Sequence, residues 1–133
     1  MQYDEFIGNV QDRARLPSRG DTVRAIQATL ETLAERIAPG EADDLAAQLP
    51  PELGTFLQGA EETERFSVDD FFLRVATKES VDVPDAVHHA RAVIAALQDA
   101  VTAGEMDDIQ AQLPDNYKPL FEAGSEGEMD VNV

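Results

Sequence analysis

Apolar residues recur three and four positions apart along most of the chain, between short stretches that contain Gly or Pro. This spacing places the apolar side chains on one face of an α-helix. The longest such series is Val23, Ile26, Leu30, Leu33 and Ile37. The pattern predicts an all-α protein in which amphipathic helices bury their apolar faces against one another.

The same helical plan occurs twice. The segment GEADDLAAQLP at 40–50 returns as GEMDDIQAQLP at 104–114, and DEF at 4–6 returns as DDF at 69–71. Comparison of a chain with itself is the standard way to detect such duplications. We therefore expect two repeats, residues 3–60 and 67–124, each with four helices, joined by a linker at 59–65.

Residues typical of helix ends mark the predicted elements. We expect the first helix at 3–14 and its copy at 68–77, where Ser67, with Asp70 three residues on, resembles a capping box. Asp21 is the expected cap of the long second helix, and Pro84 suits the first turn of its copy. Gly40 and Gly104 are expected to end the two long helices. A short helix with acidic residues in its first turn follows each glycine, and a fourth helix follows Leu-Pro.

One repeat of about 60 residues buries too little surface to be comfortably stable alone. We therefore expect the repeats to form a single helical domain over residues 1–124, as one pseudo-twofold bundle with a shared core. The remaining residues, 125–133, contain acidic residues and glycine. They are predicted to form an acidic, flexible, disordered tail.

Composition narrows the classes of function. The 133 residues include 27 acidic and 10 basic side chains, for a net charge of -17. This charge repels phosphate backbones, so general nucleic-acid binding is not expected. Lys78 and Lys118 are the only lysines, and a surface this acidic is best tolerated where salt screens it. We expect an adaptation to high salt.

Two further classes are excluded by what the sequence lacks. The chain contains no cysteine, which excludes disulfides, thiolate nucleophiles and cysteine-ligated zinc. The longest apolar stretch, 92–97, is far shorter than the roughly 20 residues that span a bilayer, and the chain does not begin like a signal peptide. A soluble, cytoplasmic protein without membrane contact is expected.

The doubled elements resemble a known family. An Asp-Glu-Phe helix, a long Ala/Leu helix, Gly-Glu-x-Asp-Asp followed by Gln-Leu-Pro, and a terminal aromatic helix, all present twice, are similar to the prokaryotic domain-of-unknown-function family 2267. The likeness covers about residues 3–124. The resemblance implies an all-helical fold, and it implies no activity, since the family has no established catalytic or binding residues to carry across.

Features shared by both repeats are most simply explained by the shared fold. The Glu-x-Asp-Asp clusters lack the alternating pattern and distal Glu of a calcium loop, so helix-start electrostatics is favoured, with weak binding of a cation as the lesser alternative. Gln48 and Gln112 are expected to make capping or turn hydrogen bonds rather than to bind a ligand. No metal, cofactor or catalytic residue is predicted.

Features present in one repeat need another explanation. His88 and His89 are adjacent in a helix, where their side chains point about 100° apart, so they are expected to be surface or boundary residues rather than ligands of one metal. Arg13, Arg15, Arg19 and Arg24 cluster around the first interhelical loop. Ion pairing with the protein's own acidic surface is favoured there. The alternative is a docking patch for an anionic partner, which arginine's bidentate guanidinium suits.

These observations favour a non-enzymatic helical module that binds an unidentified protein partner or associates with itself. The competing hypothesis is a small-molecule binding protein or enzyme with a pocket at the junction of the repeats, using a carboxylate from each. A desolvated, convergent set of polar groups would favour the second hypothesis. Nucleic-acid contact through the arginine loop is a third, weaker one.

Overall fold

The amphipathic segments fold as α-helices, which confirms the all-α class. The computed structural model describes residues 1–122, and no strand occurs in that part of the chain. The helices are α1 (Tyr3–Ala14), α2 (Arg19–Arg36), α3 (Pro39–Ala47), α4 (Pro51–Gly54), α5 (Val68–Glu79), α6 (Val83–Ala100), α7 (Ala103–Ala111) and α8 (Lys118–Glu122), with 3-10 turns at Thr55–Leu57 and Asp115–Tyr117. The tail predicted at 125–133 lies outside the described residues. No helix within 1–122 has the length and apolar character that crossing a membrane requires.

Corresponding helices in the two halves have equal lengths. Helices α1 and α5 each contain 12 residues, α2 and α6 each contain 18, and α3 and α7 each contain 9. The fourth elements differ, because α4 precedes its 3-10 turn whereas α8 follows one. The matched lengths agree with a duplicated plan, while the pseudo-twofold relation between the halves stays a prediction.

The starts of α2, α5 and α6 test the expected caps. Ser18, not Asp21, is the N-cap of α2, because the Ser18 hydroxyl accepts a hydrogen bond from the Asp21 amide at 3.1 Å. The hydroxyl of Ser67 accepts one from the Asp70 amide at 3.3 Å, which is the Ser67 half of the expected capping box. Pro84 lies in the first turn of α6. Asp21 instead places its carboxylate in the first turn of α2, where it complements the helix dipole.

The ends of the helices differ from the predictions in two ways. Gly40 and Gly104 do not terminate the long helices but lie in the first turns of α3 and α7. The C-caps are Ile37 and Val101, whose backbone is extended, so no left-handed residue is required there. Helix α5 also continues two residues beyond the predicted end at 77, and it stops where Ser80 adopts a left-handed conformation with φ 64°.

The two long helices occupy the centre of the molecule. Helix α2 packs against α1, α5 and α6, and α6 also packs against α1, α5 and α8. One cluster of buried side chains therefore draws on both halves, including Phe6, Leu30, Phe71, Ile94 and Tyr117. This shared burial is the largest favourable contribution to the fold.

The segment between the halves is held by both of them. The Glu64 amide donates to the Glu35 carbonyl at 2.9 Å. The carbonyl of Phe66 accepts hydrogen bonds from Arg36 Nε at 2.9 Å and from the Tyr117 hydroxyl at 2.8 Å. The Arg74 guanidinium lies 3.9 Å from the centroid of the Phe66 ring. The segment that joins the halves is therefore packed against both of them and is not a free linker.

Candidate functional site

Helices α3 and α7 contact each other through their matching Gly-Glu-x-Asp-Asp starts. The side-chain oxygen of Gln112 accepts a hydrogen bond from the Ala38 amide at 2.9 Å, and that of Gln48 accepts one from the Thr102 amide at 2.9 Å. Ala38 and Thr102 are the N-caps of α3 and α7. Each Gln-Leu-Pro glutamine thus caps a helix in the opposite half, which is the capping role expected for them.

Capping by Gln112 and Gln48 changes the direction in which two glutamate side chains point. Glu41 and Glu105 occupy the third positions of α3 and α7, from which a glutamate ordinarily reaches back to the N-cap amide in a capping box. Here the glutamines already occupy those amides. Gln112 Nε2 donates to Glu41 Oε1 at 3.0 Å, which directs Glu41 toward the α3–α7 contact. The two glutamates therefore turn toward each other.

Three carboxylates meet at this contact, and we call them the carboxylate cluster: Glu41, Glu105 and Asp108. One oxygen from each lies within 4.8 Å of the others. Glu105 is only 7% exposed. The Oε2 atoms of Glu41 and Glu105 are buried, and no hydrogen-bond donor among residues 1–122 reaches them. While both glutamates are ionised, two carboxylate oxygens are therefore desolvated without a donor, a costly arrangement.

The electrostatics of the carboxylate cluster favour neutralisation of Glu105. Burial raises the pKa of Glu105 to about 7, with further contributions from its contact with Glu41 and from the charges of Asp44 and Asp108. Like charges this close disfavour simultaneous ionisation. The site can therefore hold a shared proton, or a cation in its place.

A second feature is an apolar groove between α5, α6 and α8, which we call the second-half groove. It has a volume of about 330 Å³ and is lined by Phe72, Leu73, Val83, Val87 and Pro119, together with the charged Asp69 and Arg91. Leu73 is 52% exposed and Val83 is 39% exposed. An exposed apolar surface with a concave shape is typical of binding sites.

The two exposed aliphatic side chains of the second-half groove, Leu73 and Val83, have no apolar counterpart in the first half. The repeat offset places Gly8 at the position of Leu73 and Arg19 at that of Val83. Arg19 hydrogen-bonds Asp4 at 2.7 Å, and its guanidinium lies 5.7 Å from the centroid of the Tyr3 ring. In the first half, the ion pair between Arg19 and Asp4 therefore occupies the region in which the second half exposes aliphatic side chains.

Residues 3–120 match the sequence profile of a family described as "Uncharacterized conserved protein (DUF2267)". The chain belongs to the DUF2267 family. The resemblance carried by the doubled Gly-Glu-x-Asp-Asp and Gln-Leu-Pro elements is thereby confirmed. A comparison with curated proteins finds no match. The matched range contains the carboxylate cluster and the second-half groove, so both lie within the DUF2267 region of the chain.

Three of the four arginines around the first interhelical loop, for which docking of an anionic partner was the alternative hypothesis, pair with acids of this DUF2267 chain. Arg13 contacts Asp99 of α6 at 2.9 Å, while Arg19 contacts Asp4 and Arg24 contacts Asp21. A hydrogen bond from Asn9 and the pairing with Arg13 hold the pKa of Asp99 below its ordinary value despite partial burial. These contacts are the ion pairs favoured on sequence grounds, and docking of an anionic partner stays a prediction.

Arg15 has a backbone role at the end of α1. It is the C-cap residue with φ 55°, a left-handed conformation, and its amide donates to the Gln11 carbonyl. Ser80 has the same conformation at the end of α5. The corresponding ends of α1 and α5 thus turn in the same way, and Arg15 serves the chain reversal in the first half.

The histidines of the DUF2267 chain occupy different environments. His88 is partly exposed, as expected for a boundary residue, and its Nε2 lies 3.2 Å from the Ala14 carbonyl oxygen. Burial, together with the neighbouring His89, lowers the pKa of His88. The expectation of a surface or boundary position is wrong for His89, which is only 7% exposed and hydrogen-bonds the buried Glu79 through Nδ1. The reason is that helices pack around most of α6.

The sequence reasoning did not find the Glu79–His89 pair or the carboxylate cluster. The positions matching Glu79 and His89 in the first half are Ala14 and Ala25. The signal available was therefore a change from alanine to an ionisable residue at one position in each of two consecutive helices. For the cluster, Glu41 and Glu105 occupy equivalent positions. Helices α3 and α7 contact each other, so the recurrence of the Glu-x-Asp-Asp motif in both halves was the signal available for the cluster.

Proposed function

We propose that this DUF2267 protein is a non-enzymatic interaction module, adapted to high salt, that binds a partner protein in the second-half groove. The observation that carries the proposal is the exposure of Leu73 and Val83. Within residues 1–122 they are two of three large apolar side chains left exposed, the third being Met1. Both line the same concavity, and their burial by a partner would supply a hydrophobic driving force.

The charge of the protein indicates the chemistry of the partner. Asp69 lines the second-half groove, Asp82 and Asp85 flank the exposed Val83, and the whole chain carries a net charge of -17. Complementary charge at the rim of an interface speeds association and rejects wrong partners. We therefore propose that the occupant is an apolar segment of another protein, flanked by Lys or Arg.

The asymmetry between the halves supports a binding role for this surface. A shared fold explains residues that match. Leu73 and Val83 instead differ from their counterparts Gly8 and Arg19, and both are exposed, so packing of the core does not explain them.

A non-enzymatic role is supported by the positions of the buried ionisable residues. Neither the hydrogen-bonded Glu79 and His89 nor the carboxylate cluster lines the groove. A substrate bound in the groove would not contact them.

Adaptation to high salt follows from the balance of charges. Repulsion among acidic side chains destabilises a compact state in dilute salt, where the screening length is about 30 Å at 0.01 M, and is nearly abolished at 1 M, where it is about 3 Å. Binding carried by apolar burial keeps its strength under those conditions, since salting-out ions strengthen burial. An apolar groove therefore suits a protein that works at high ionic strength.

The test starts from partners cross-linked to wild-type protein in molar KCl. The partner segment that cross-links to α5 or α6 is synthesised, and its affinity is measured by fluorescence anisotropy. We expect Leu73→Gln to weaken binding about five- to tenfold, because burying the exposed half of a leucine contributes about 1 kcal/mol. Val83→Arg, which introduces the first-half residue, should weaken it at least as much through a clash and repulsion of the basic flanks.

Thr77→Gln is the matched control, because Thr77 is exposed on α5 one turn beyond Leu73 and does not line the groove. Its affinity should equal that of the wild type. The proposal is wrong if Leu73→Gln and Thr77→Gln bind the segment equally, or if the segment lacks apolar residues with basic flanks. A dimer that Val83→Arg dissociates would identify the groove as a self-association surface and would overturn the proposed occupant.

A further inference from the structure

The carboxylate cluster is not explained by helix-start electrostatics alone. A carboxylate in the first turn of a helix is stabilised by the exposed amides there. In α3 and α7 the N-cap amides are bonded to Gln112 and Gln48, so they do not serve the glutamates. Surface carboxylates normally point to water, whereas Glu105 is buried to more than nine tenths and faces two other acids. Something positive is required at this point.

The three carboxylates converge, because one oxygen of each lies within 4.8 Å of the others. Glu105 and Glu41 also each have a buried Oε2 that no donor within residues 1–122 reaches. Asp108 lies three residues after Glu105, so both side chains project from the same face of α7. The cluster therefore combines a rigid pair of ligands on one helix with a single ligand, Glu41, from the other.

The geometry suits a hard cation. Calcium binds carboxylate oxygens at about 2.3–2.6 Å, so two ligands on opposite sides of the ion are about 4.6–5.2 Å apart. The three oxygens lie within 4.8 Å of one another. Magnesium instead demands a near-ideal octahedral geometry and gives up its waters reluctantly, whereas calcium accepts flexible geometry. Gln112 fixes the direction of Glu41 through its hydrogen bond, as an outer partner does in established metal sites.

We propose that Glu41, Glu105 and Asp108 bind one divalent cation of the calcium type between α3 and α7, with water completing its coordination. The cation supplies the positive charge that the buried carboxylate oxygens of Glu41 and Glu105 lack. Three carboxylates attract the cation, whereas the partial positive charges at the N-termini of α3 and α7 disfavour it. We therefore expect weak binding, with a dissociation constant of about 10⁻⁴–10⁻³ M. The cation would join the two halves, independently of any partner in the second-half groove.

Calcium binding to the full chain is tested in molar KCl, where nonspecific screening is constant. At about pH 8 and about 10 mM CaCl₂, the Tm of the wild type should rise by about 3–8 °C relative to the same buffer with chelator. Isothermal titration should show about one site. Mn²⁺ should broaden the NMR signals of Met106 and Ile109, which lie on α7.

Two variants separate a site from general acidity. Glu105→Gln removes one ligand charge and keeps the size of the side chain, so the calcium-dependent rise in Tm should disappear. Asp107→Asn removes the same charge from an exposed neighbour outside the cluster, and its response should equal that of the wild type. Equal calcium responses in Glu105→Gln and the wild type would show ionic screening only and overturn the site. No calorimetric binding at about pH 8 would show that the cluster holds a proton only, which also overturns it.

Discussion

Replacing Glu105 by Gln should stabilise the protein above neutral pH when no divalent cation is present. The folded state holds a proton on Glu105 to about pH 7, against an ordinary pKa of 4.5. Between these values the folded state binds more protons than the unfolded state, so the unfolding free energy falls as pH rises. Below about pH 4.5 this carboxyl is neutral in both states and has no such effect.

The magnitude follows from the shift in pKa. One pKa unit corresponds to about 1.4 kcal/mol, so the raised pKa sets an upper limit of about 3 kcal/mol above pH 7. Side-chain movement and entering water reduce this, and we expect about 1–2 kcal/mol. Gln carries no charge, and its amide can donate to Glu41 without titrating. The variant should therefore exceed the wild type by about 1–2 kcal/mol at about pH 8, and the difference should vanish near pH 4.

Urea denaturation followed by circular dichroism measures this effect between about pH 4 and pH 9, in molar KCl with chelator. The wild-type free energy should decline through the window from about 4.5 to about 7, and the Glu105→Gln curve should lack that decline. Asp107→Asn is the control for removal of one negative charge and should keep the wild-type slope. Parallel curves for Glu105→Gln and wild type, or a less stable variant at about pH 8, would refute the reasoning.

Three further changes test other parts of the structure. Gln112→Ala loses both the bond from the Ala38 amide and the bond to Glu41, so urea titrations should show a loss of about 1–2 kcal/mol, against about 1 kcal/mol for Gln48→Ala; equal losses would contradict the distinction. His89→Ala leaves the buried Glu79 carboxylate without this partner and should cost about 3–5 kcal/mol, whereas the double change with Glu79→Ala should cost less than the two single changes together; strict additivity in the double-mutant cycle would exclude coupling. Raising KCl from about 0.1 M to about 2 M should increase the Tm measured by calorimetry, because the charge of -17 is then screened; a constant Tm would argue against adaptation to salt.

The helices were predictable because their signal is local. Apolar spacing of three and four residues defines a helix wherever it is long enough, and the repeat provided a second, independent reading of each element. Helix α1 was located to the residue, and α5 was two residues longer than expected. Errors fell at helix ends, where Gly40 suggested a stop that the extended backbone of Ile37 provides instead. Glycine is compatible with a C-cap but also with a first turn.

The candidate sites were less predictable because they depend on which helices meet. The Glu-x-Asp-Asp motif suggests a helix start in either half, and only the contact between α3 and α7 brings Glu41 and Glu105 together. The burial of His89 likewise follows from the number of helices around α6, which local periodicity does not report. Leu73 fits a helical sequence pattern equally well whether a core or a partner covers it.

Gln48 and Gln112 each cap a helix of the opposite half, so two backbone amides report on the contact between the halves. The first amides of a short helix normally open as the helix end frays, and so they exchange hydrogen with solvent early. The amides of Ala38 and Thr102 are instead held by side chains from the opposite half, and they are released only when α3 and α7 move apart. Their exchange rates therefore record the parting of the two halves, and any agent that separates the halves must release both amides together.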